Sequence, residues 1–284
     1  MQPEERALAF PCGDAWLYGV LSLPPAPQPR GVLIVVGGPQ VRAGSHRQFT
    51  LLARGLAQAG VPAMRFDYRG MGDSEGDMRD FDNVADDLRA ALDCFFAEVP
   101  GMREVVLWGL CDGASAAAMY APGDARVAGL VLLNPWVRTE GGEARARLKH
   151  YYRDRLLDPG LWKKVARGQF DYGGAARSFV GILRSAFGAA KPSGEQAECG
   201  SEAPLPERMQ AALGRFGGKV LVMLSGADLT AQEFAEMSGS RGWQRLLSSP
   251  RFTRHTLPKA DHTCSRREWH EQVVRWTREW LASL

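Results

Sequence analysis

The chain has 284 residues, of which 45% are hydrophobic and 24% charged, a composition typical of a globular protein with a sizeable core. Its formal net charge of +3 is too small to indicate a nucleic-acid-binding protein. No apolar run is long enough to span a membrane, and no apolar signal core follows Met1. Five scattered cysteines lack metal-ligand spacing, so we expect a cytoplasmic protein without a metal or organic cofactor.

Strand patterns and helical patterns alternate along most of the chain. The predicted strands are an opening hairpin (7–10 and 16–23), four apolar runs (31–36, 62–68, 127–134 and 219–224), a run that begins at 105, and a short last strand (252–257). The predicted helices are 47–59, 82–97, one that begins at 112, one that ends near 247, and 265–284. This alternation predicts an α/β protein with a mostly parallel, doubly wound sheet.

Residues 138–206 interrupt the alternation, because they contain helical patterns and no good strand. We interpret them as a helical lid inserted into a core formed by 1–137 and 207–284, with a mobile loop at about 188–206. Residues 138–191 carry twelve Lys or Arg and five Asp or Glu. That surplus indicates either a solvated helical face or attraction to an anionic substrate or a membrane surface, as in a peripheral membrane contact.

The segment Gly109-Leu-Cys-Asp-Gly113 joins a buried strand to a helix of small residues. A sharp strand-to-helix turn with glycine on both sides presents its central side chain as a nucleophile. Here that side chain is Cys111, and the helix that begins at Asp112 directs its free N–H groups toward the sulfur, which favours the thiolate. The carboxylate of Asp112 acts in the opposite direction. The alternative interpretation of Cys111 is a buried structural cysteine.

A nucleophile needs a base and a group that orients the base, and in this kind of turn the acid and the histidine follow the nucleophile in the chain. Asp228 follows the strand 219–224, and His262 follows the last strand. We therefore predict Cys111, His262 and Asp228 as a catalytic triad. Asp261 is a rival for the acid, but neighbours in an extended segment point apart, which favours Asp228.

An oxyanion hole needs two backbone donors. We expect one from the N–H of Asp112 and one from the loop after the strand 31–36. Pro39 has no N–H, so Gly38 or Gln40 must supply the second. Gly37, Leu110 and His46 are candidates for the pocket lining, although His46 also suits a helix start capped by Ser45.

Four segments resemble the α/β-hydrolases, and in detail the exosortase A system-associated hydrolase 1 group. They are the elbow at 109–113, Val-Val-Gly-Gly-Pro-Gln at 35–40, Asp-Tyr-Arg-Gly-Met-Gly-Asp-Ser at 67–74 and Gly-Ala-Asp-Leu-Thr at 226–230. The resemblance extends over nearly the whole chain. It implies an α/β-hydrolase fold, the triad, and association with bacterial exosortase and exopolysaccharide gene sets. The elbow cysteine also resembles the dienelactone hydrolases, whose compact form lacks a long helical lid.

These residues predict a hydrolase that acts on a small-molecule, lipid-linked or sugar-linked acyl ester or thioester through a thio-acyl enzyme. Two alternatives stay open at this point. The same intermediate could pass its acyl group to a sugar or polysaccharide acceptor, which would make the protein an acyltransferase. A non-catalytic binding protein could also use the same fold.

Overall fold

A computed structural model describes residues 3–38, 40–137 and 203–284. The part of the chain before residue 138 and the part from Pro206 onward form one compact unit. The predicted lid and its loop at 188–206 fall almost entirely outside the described residues, so both remain predictions. No helix within the described ranges is both long and apolar enough to cross a membrane.

Eight strands form a single sheet in the described part of the chain. They are β1 (Glu4–Cys12), β2 (Ala15–Leu23), β3 (Arg30–Val35), β4 (Ala63–Phe66), β5 (Glu104–Leu110), β6 (Val127–Leu133), β7 (Lys219–Ser225) and β8 (Phe252–Leu257). Their order across the sheet is β1-β2-β4-β3-β5-β6-β7-β8. The β1–β2 and β2–β4 pairs are antiparallel and all other pairs are parallel. The predicted α/β class with a mostly parallel, doubly wound sheet is therefore confirmed.

The helices cover both faces of the sheet because the central strands are apolar on both sides. The helices of the described residues are α1 (Gln48–Gln58), α2 (Ala85–Glu98), α3 (Asp112–Tyr120), α4 (Leu205–Arg215), α5 (Leu229–Met237), α6 (Arg241–Leu247) and α7 (Arg267–Ala282). In β5, Val105 and Leu107 pack into the layer shared with α2 to α6, whereas Val106 and Trp108 pack into the layer shared with α1 and α7. This alternation divides the core into two apolar layers.

Several helix boundaries differ by a few residues from the sequence prediction, and two differences have a clear structural cause. The helix predicted to run to about 247 is two helices, α5 and α6, because the chain turns at 238–240 and Ser240 is extended. The helix predicted from 47 begins one residue later, since Arg47 has a left-handed φ of 62°. Ser45 makes no capping hydrogen bond there, so the expectation that Ser45 caps this helix is wrong.

Candidate active site

Cys111 lies at the tip of a sharp turn between β5 and α3. Its φ of 59° and ψ of −126° fall outside the regions that residues with a side chain normally adopt. Glycine flanks the turn because there is no room for a side chain. A Cβ at Gly109 would lie 2.5 Å from the Ala114 Cα, and one at Gly113 would lie 2.5 Å from the Val35 carbonyl oxygen. The turn therefore holds the thiol in a strained conformation where β5 ends, as at functional sites.

His262 and Asp228 come from the ends of two neighbouring strands, β8 and β7. The His262 Nδ1 atom lies 3.0 Å from the Asp228 Oδ2 atom. Asp228 is buried and begins α5, and its Oδ2 also accepts a hydrogen bond of 2.9 Å from the N–H of Ala231. The Cys111 side chain also acts on the imidazole and favours its charged form. The structure thus brings the three predicted triad residues into one contiguous arrangement.

The surroundings of His262 favour its charged form. Burial by itself disfavours the imidazolium, but hydrogen bonds to Asp228 and to Cys111 outweigh it and raise the pKa of His262 to about 10. A cationic imidazole beside sulfur is the environment in which a thiolate is stabilised.

Asp261, the rival acid, is directed away from the imidazole. It accepts a hydrogen bond of 2.9 Å from the N–H of Ser265 and another from the Ser265 hydroxyl. Burial works against its ionised form, yet the Ser265 hydrogen bonds lower the pKa of Asp261 overall. Its carboxylate therefore closes the turn that leads into α7, and Asp228 is the carboxylate that contacts His262.

Asn134 positions the loop that carries His262, and sequence reasoning missed this residue. Its side-chain amide donates a hydrogen bond of 2.9 Å to the His262 carbonyl oxygen and one of 3.0 Å to the Ser225 hydroxyl. Its side-chain oxygen accepts a hydrogen bond of 2.8 Å from the Ser225 N–H. Asn134 is fully buried and has a left-handed φ of 47°, which asparagine tolerates better than most residues. The available signal was an asparagine directly after a buried strand and before Pro135.

One predicted oxyanion donor, the N–H of Gly38, is engaged by a side chain. The Asp112 Oδ1 atom accepts a short hydrogen bond from the N–H of Gly38 and one of 2.9 Å from the N–H of Gly113. The expectation that Gly38 offers a free N–H is therefore corrected, since the neighbouring carboxylate accepts it. The Gln40 side-chain oxygen accepts hydrogen bonds from the Ser45 N–H and the Gln48 amide, and the Gln40 N–H stays a predicted donor.

Two of the three pocket candidates pack tightly against the elbow. A Cβ on Gly37 would lie 2.1 Å from the Leu110 carbonyl oxygen and 2.5 Å from Asp112 Oδ1, so Gly37 is a point of close backbone approach. Leu110 is fully buried in the apolar layer beside Trp108. Both residues are therefore closely packed at the elbow, and their role in lining a pocket stays a prediction.

His46, the third candidate, lines a cavity of about 640 Å³ beside the loop that follows His262. His46 and Arg47 both have left-handed backbones, which presents two side chains from one tight turn. The cavity is rich in cationic side chains, namely Arg47, Arg266, Arg267, Arg275 and Arg278. Thr263, the residue directly after His262, also lines this cavity.

A thiol, an imidazole and a carboxylate at neighbouring strand ends are the groups that nucleophilic catalysis requires. Across residues 3–38, 40–137 and 203–284, no group of three or more His, Cys, Asp or Glu side chains is placed to hold a metal ion.

A family model and several solved structures match most of the length of this chain. The model of the alpha/beta hydrolase family matches residues 32–276. An esterase from Pyrococcus furiosus is 14% identical with a TM-score of 0.66, over 99% of this chain and 91% of that chain. Est1E from Butyrivibrio proteoclasticus, solved with ferulic acid bound, is 16% identical with a TM-score of 0.63, over 98% of each chain.

A dienelactone hydrolase from Anabaena variabilis is 17% identical with a TM-score of 0.61, over 100% of this chain and 99% of that chain. At these identities the likeness shows a shared fold. No curated protein matches the chain. Because the family model matches most of its length, the chain belongs to the alpha/beta hydrolase family.

Proposed function

We propose that the protein is a hydrolase that cleaves an acyl ester or thioester through Cys111. The contact of the His262 imidazole with both Asp228 and Cys111 carries this proposal. Asp228 orients the imidazole through Nδ1. The Nε2 atom then faces the sulfur and can give its proton to the leaving group. The Pyrococcus furiosus esterase among the similar structures supports an ester-like substrate by analogy of fold.

The reaction divides into two balanced halves. In the first, the Cys111 sulfur attacks the acyl carbonyl carbon, the bond to the leaving group breaks, and the leaving group takes the proton from His262 Nε2. This yields a thioester on Cys111 and a neutral imidazole. In the second, His262 takes a proton from water, and the hydroxide attacks the thioester carbonyl. The acid is released, and the thiolate and imidazolium return.

The arginine-lined cavity supports a substrate with an anionic part. Arg47, Arg267, Arg275 and Arg278 make no ion pair with any residue in the described ranges. Glu271 is the one carboxylate among the residues that line the cavity. Unpaired guanidinium groups bind phosphate or carboxylate through charge-assisted hydrogen bonds. We therefore extend the proposal to an acyl donor whose leaving group carries such an anion.

Two finer parts of the proposal rest on sequence features. The motif resemblance favours the exosortase-associated group and an exopolysaccharide setting, which would place the acyl group on a sugar-linked or lipid-linked carrier. Free thiols at Cys12, Cys94, Cys111 and Cys264 support a reducing compartment, and hence a cytoplasmic location.

Intact-mass labelling with a panel of activated acyl esters and thioesters tests the chemistry. We expect wild type to gain one acyl mass that maps to Cys111, and Cys111→Ala to gain none. His262→Ala should acylate far more slowly because it lacks the imidazolium. Cys94→Ser is the matched control, since it removes a half-buried thiol away from the elbow and should label like wild type. If wild type gains no acyl mass on Cys111 with any ester or thioester, the covalent mechanism is wrong.

The fate of the acyl group then separates hydrolysis from acyl transfer. Free acid released at the same rate with or without added sugar acceptors supports the hydrolase. Loss of free acid in favour of an acylated sugar would instead support the acyltransferase.

A further inference from the structure

The Asp112 carboxylate is held by backbone N–H groups beside the elbow. Its Oδ1 accepts hydrogen bonds from the N–H groups of Gly38 and Gly113, which come from two different loops. The N–H of Asp112 itself also stabilises the charge of its side chain. Backbone N–H groups that converge on one oxygen from the oxyanion loop and the start of the elbow helix are the donors of an oxyanion hole. Here the oxygen belongs to the protein.

The carboxylate is held closely on this site. The Oδ1 atom lies 2.5 Å from the position that a Cβ on Gly37 would take, so the loop after β3 lies directly against it. Burial raises the pKa of Asp112, although the backbone donors and the charge of His262 act to lower it. Hydrogen bonds therefore stabilise the carboxylate at this site, whereas its burial destabilises it. Because the two contributions oppose each other, the carboxylate can be displaced from the site.

We propose that the Asp112 carboxylate is an internal competitor for the oxyanion hole, which the carbonyl oxygen of the substrate must displace before Cys111 can be acylated. This inference rests on the proposed acyl chemistry. It makes Asp112 a gating residue: its N–H serves the reaction, while its side chain opposes the entry of substrate.

Tyr68 offers a second position for the displaced carboxylate. Its hydroxyl is buried and has no hydrogen-bond partner among the residues that the structure describes. Burial, with the charges of Asp112 and Asp87, raises the pKa of Tyr68, so the phenol remains a donor. Asp87 is already bound to Arg69, with Oδ2 2.7 Å from Nη2. A buried hydroxyl without an acceptor is costly, and Asp112 is the nearby carboxylate that could satisfy it.

Protonation of Asp112 would also weaken its hold, because a neutral carboxyl is a poorer acceptor than a carboxylate. The titratable groups that face it are Cys111 beside it, His262 from the loop after β8, and Tyr68 from the segment after β4. Burial raises the pKa of Asp112, so protonation of this carboxylate as pH falls is the titration that opens the hole. Acylation should therefore become faster as pH falls through the pKa of Asp112.

A double-mutant cycle of single-turnover acylation rates tests the gate. With a small neutral chromogenic ester at neutral pH, we expect Asp112→Ala to acylate about tenfold faster than wild type, from the loss of competing charge-assisted hydrogen bonds. Tyr68→Phe should slow acylation in wild type, because the displaced carboxylate loses its hydrogen-bond donor. The same change should have no effect in the Asp112→Ala background. Asp112→Asn, which cannot ionise, should abolish the acceleration at low pH.

Asp86→Asn is the matched control, since it removes an exposed carboxylate that lies 3.9 Å from Arg69 and touches neither loop of the hole. It should acylate at the wild-type rate. The gate is overturned if Asp112→Ala acylates no faster than wild type while Cys111 still gains the acyl group. An equal effect of Tyr68→Phe in both backgrounds overturns the second position for the carboxylate.

A measurement on the protein without substrate tests whether Asp112 occupies the hole independently of the proposed acyl chemistry. The amide proton resonances of Gly38 and Gly113 should move upfield in Asp112→Ala and should titrate with one common pKa in wild type. If both resonances stay fixed, the carboxylate does not occupy the hole. If they move as expected but no ester acylates Cys111, the proposed acyl chemistry fails while the occupancy of the hole by Asp112 stands.

Discussion

The side-chain amide of Asn134 donates a hydrogen bond of 2.9 Å to the carbonyl oxygen of His262. This bond links the end of β6 to the loop after β8, so the imidazole is positioned from the centre of the sheet. Ser225, at the end of β7, completes the link through two further hydrogen bonds with Asn134. The ends of three adjacent strands are thereby fixed relative to one another.

We expect Asn134→Ala to slow acylation about tenfold to a hundredfold and to lower the free energy of unfolding by about 1–3 kcal/mol. Alanine leaves the Ser225 N–H and the His262 carbonyl oxygen without their partner, and it tolerates the left-handed backbone poorly. Single-turnover kinetics and urea unfolding measure the two effects. The pH profile of acylation discriminates a positioning role, because it should shift with the imidazole pKa. A purely structural residue would leave that profile unchanged.

The pKa of His262 predicts how the stability of the protein depends on pH. Its folded-state pKa of about 10 lies above the ordinary value of 6.5, so protonation favours the folded state. This contribution is fully present below pH 6.5 and is lost as pH rises through 10. We expect the stability difference between wild type and His262→Gln to shrink steadily over that window, as followed by chemical unfolding. A difference that grows with pH would contradict the assignment of His262 as the imidazolium partner of Cys111.

Charge reversal in the arginine-lined cavity tests the anionic part of the substrate. We expect Arg275→Glu and Arg278→Glu to raise the KM for esters with a phosphate or carboxylate on the leaving group, by about tenfold. The KM for neutral esters should stay unchanged, and added salt should reduce the difference. Arg245→Glu on α6 changes the net charge equally and lies outside the residues that line the cavity. An equal KM effect from Arg245→Glu would show that overall charge, and not the cavity, selects the substrate.

Close backbone packing at the elbow predicts that Gly37→Ala is destabilising. The added methyl group would lie 2.1 Å from the Leu110 carbonyl oxygen, so the loop after β3 must move away from the elbow. We expect a loss of about 1–3 kcal/mol in the free energy of unfolding, with a drop in the acylation rate. Gly214→Ala in α4 is the contrasting change, because nothing lies within 4 Å of its added Cβ. It should leave acylation unaltered and stabilise the protein by about 0.5–1 kcal/mol.

Much of the fold and of the candidate site could be predicted because the sequence patterns that indicate them are local. The uniform apolar runs at 31–36 and 127–134 predicted strands covered on both faces, and the glycine pair at Gly109 and Gly113 predicted the sharp turn at Cys111. The order of strand ends also placed Asp228 and His262 on the same edge of the sheet. Each inference needs only residue type, periodicity and the rule that parallel strands end together.

The tertiary structure decided the features that depend on contacts between distant segments. The hydrogen bonds from Gly38 to Asp112 and from Asn134 to His262 join residues 74 and 128 positions apart, and no spacing rule encodes them. The sequence therefore determined which groups could carry acyl chemistry, because residue type and strand order are local properties. Only the folded chain decided that the oxyanion donors are engaged by a carboxylate, because that depends on how closely the loop after β3 approaches the elbow.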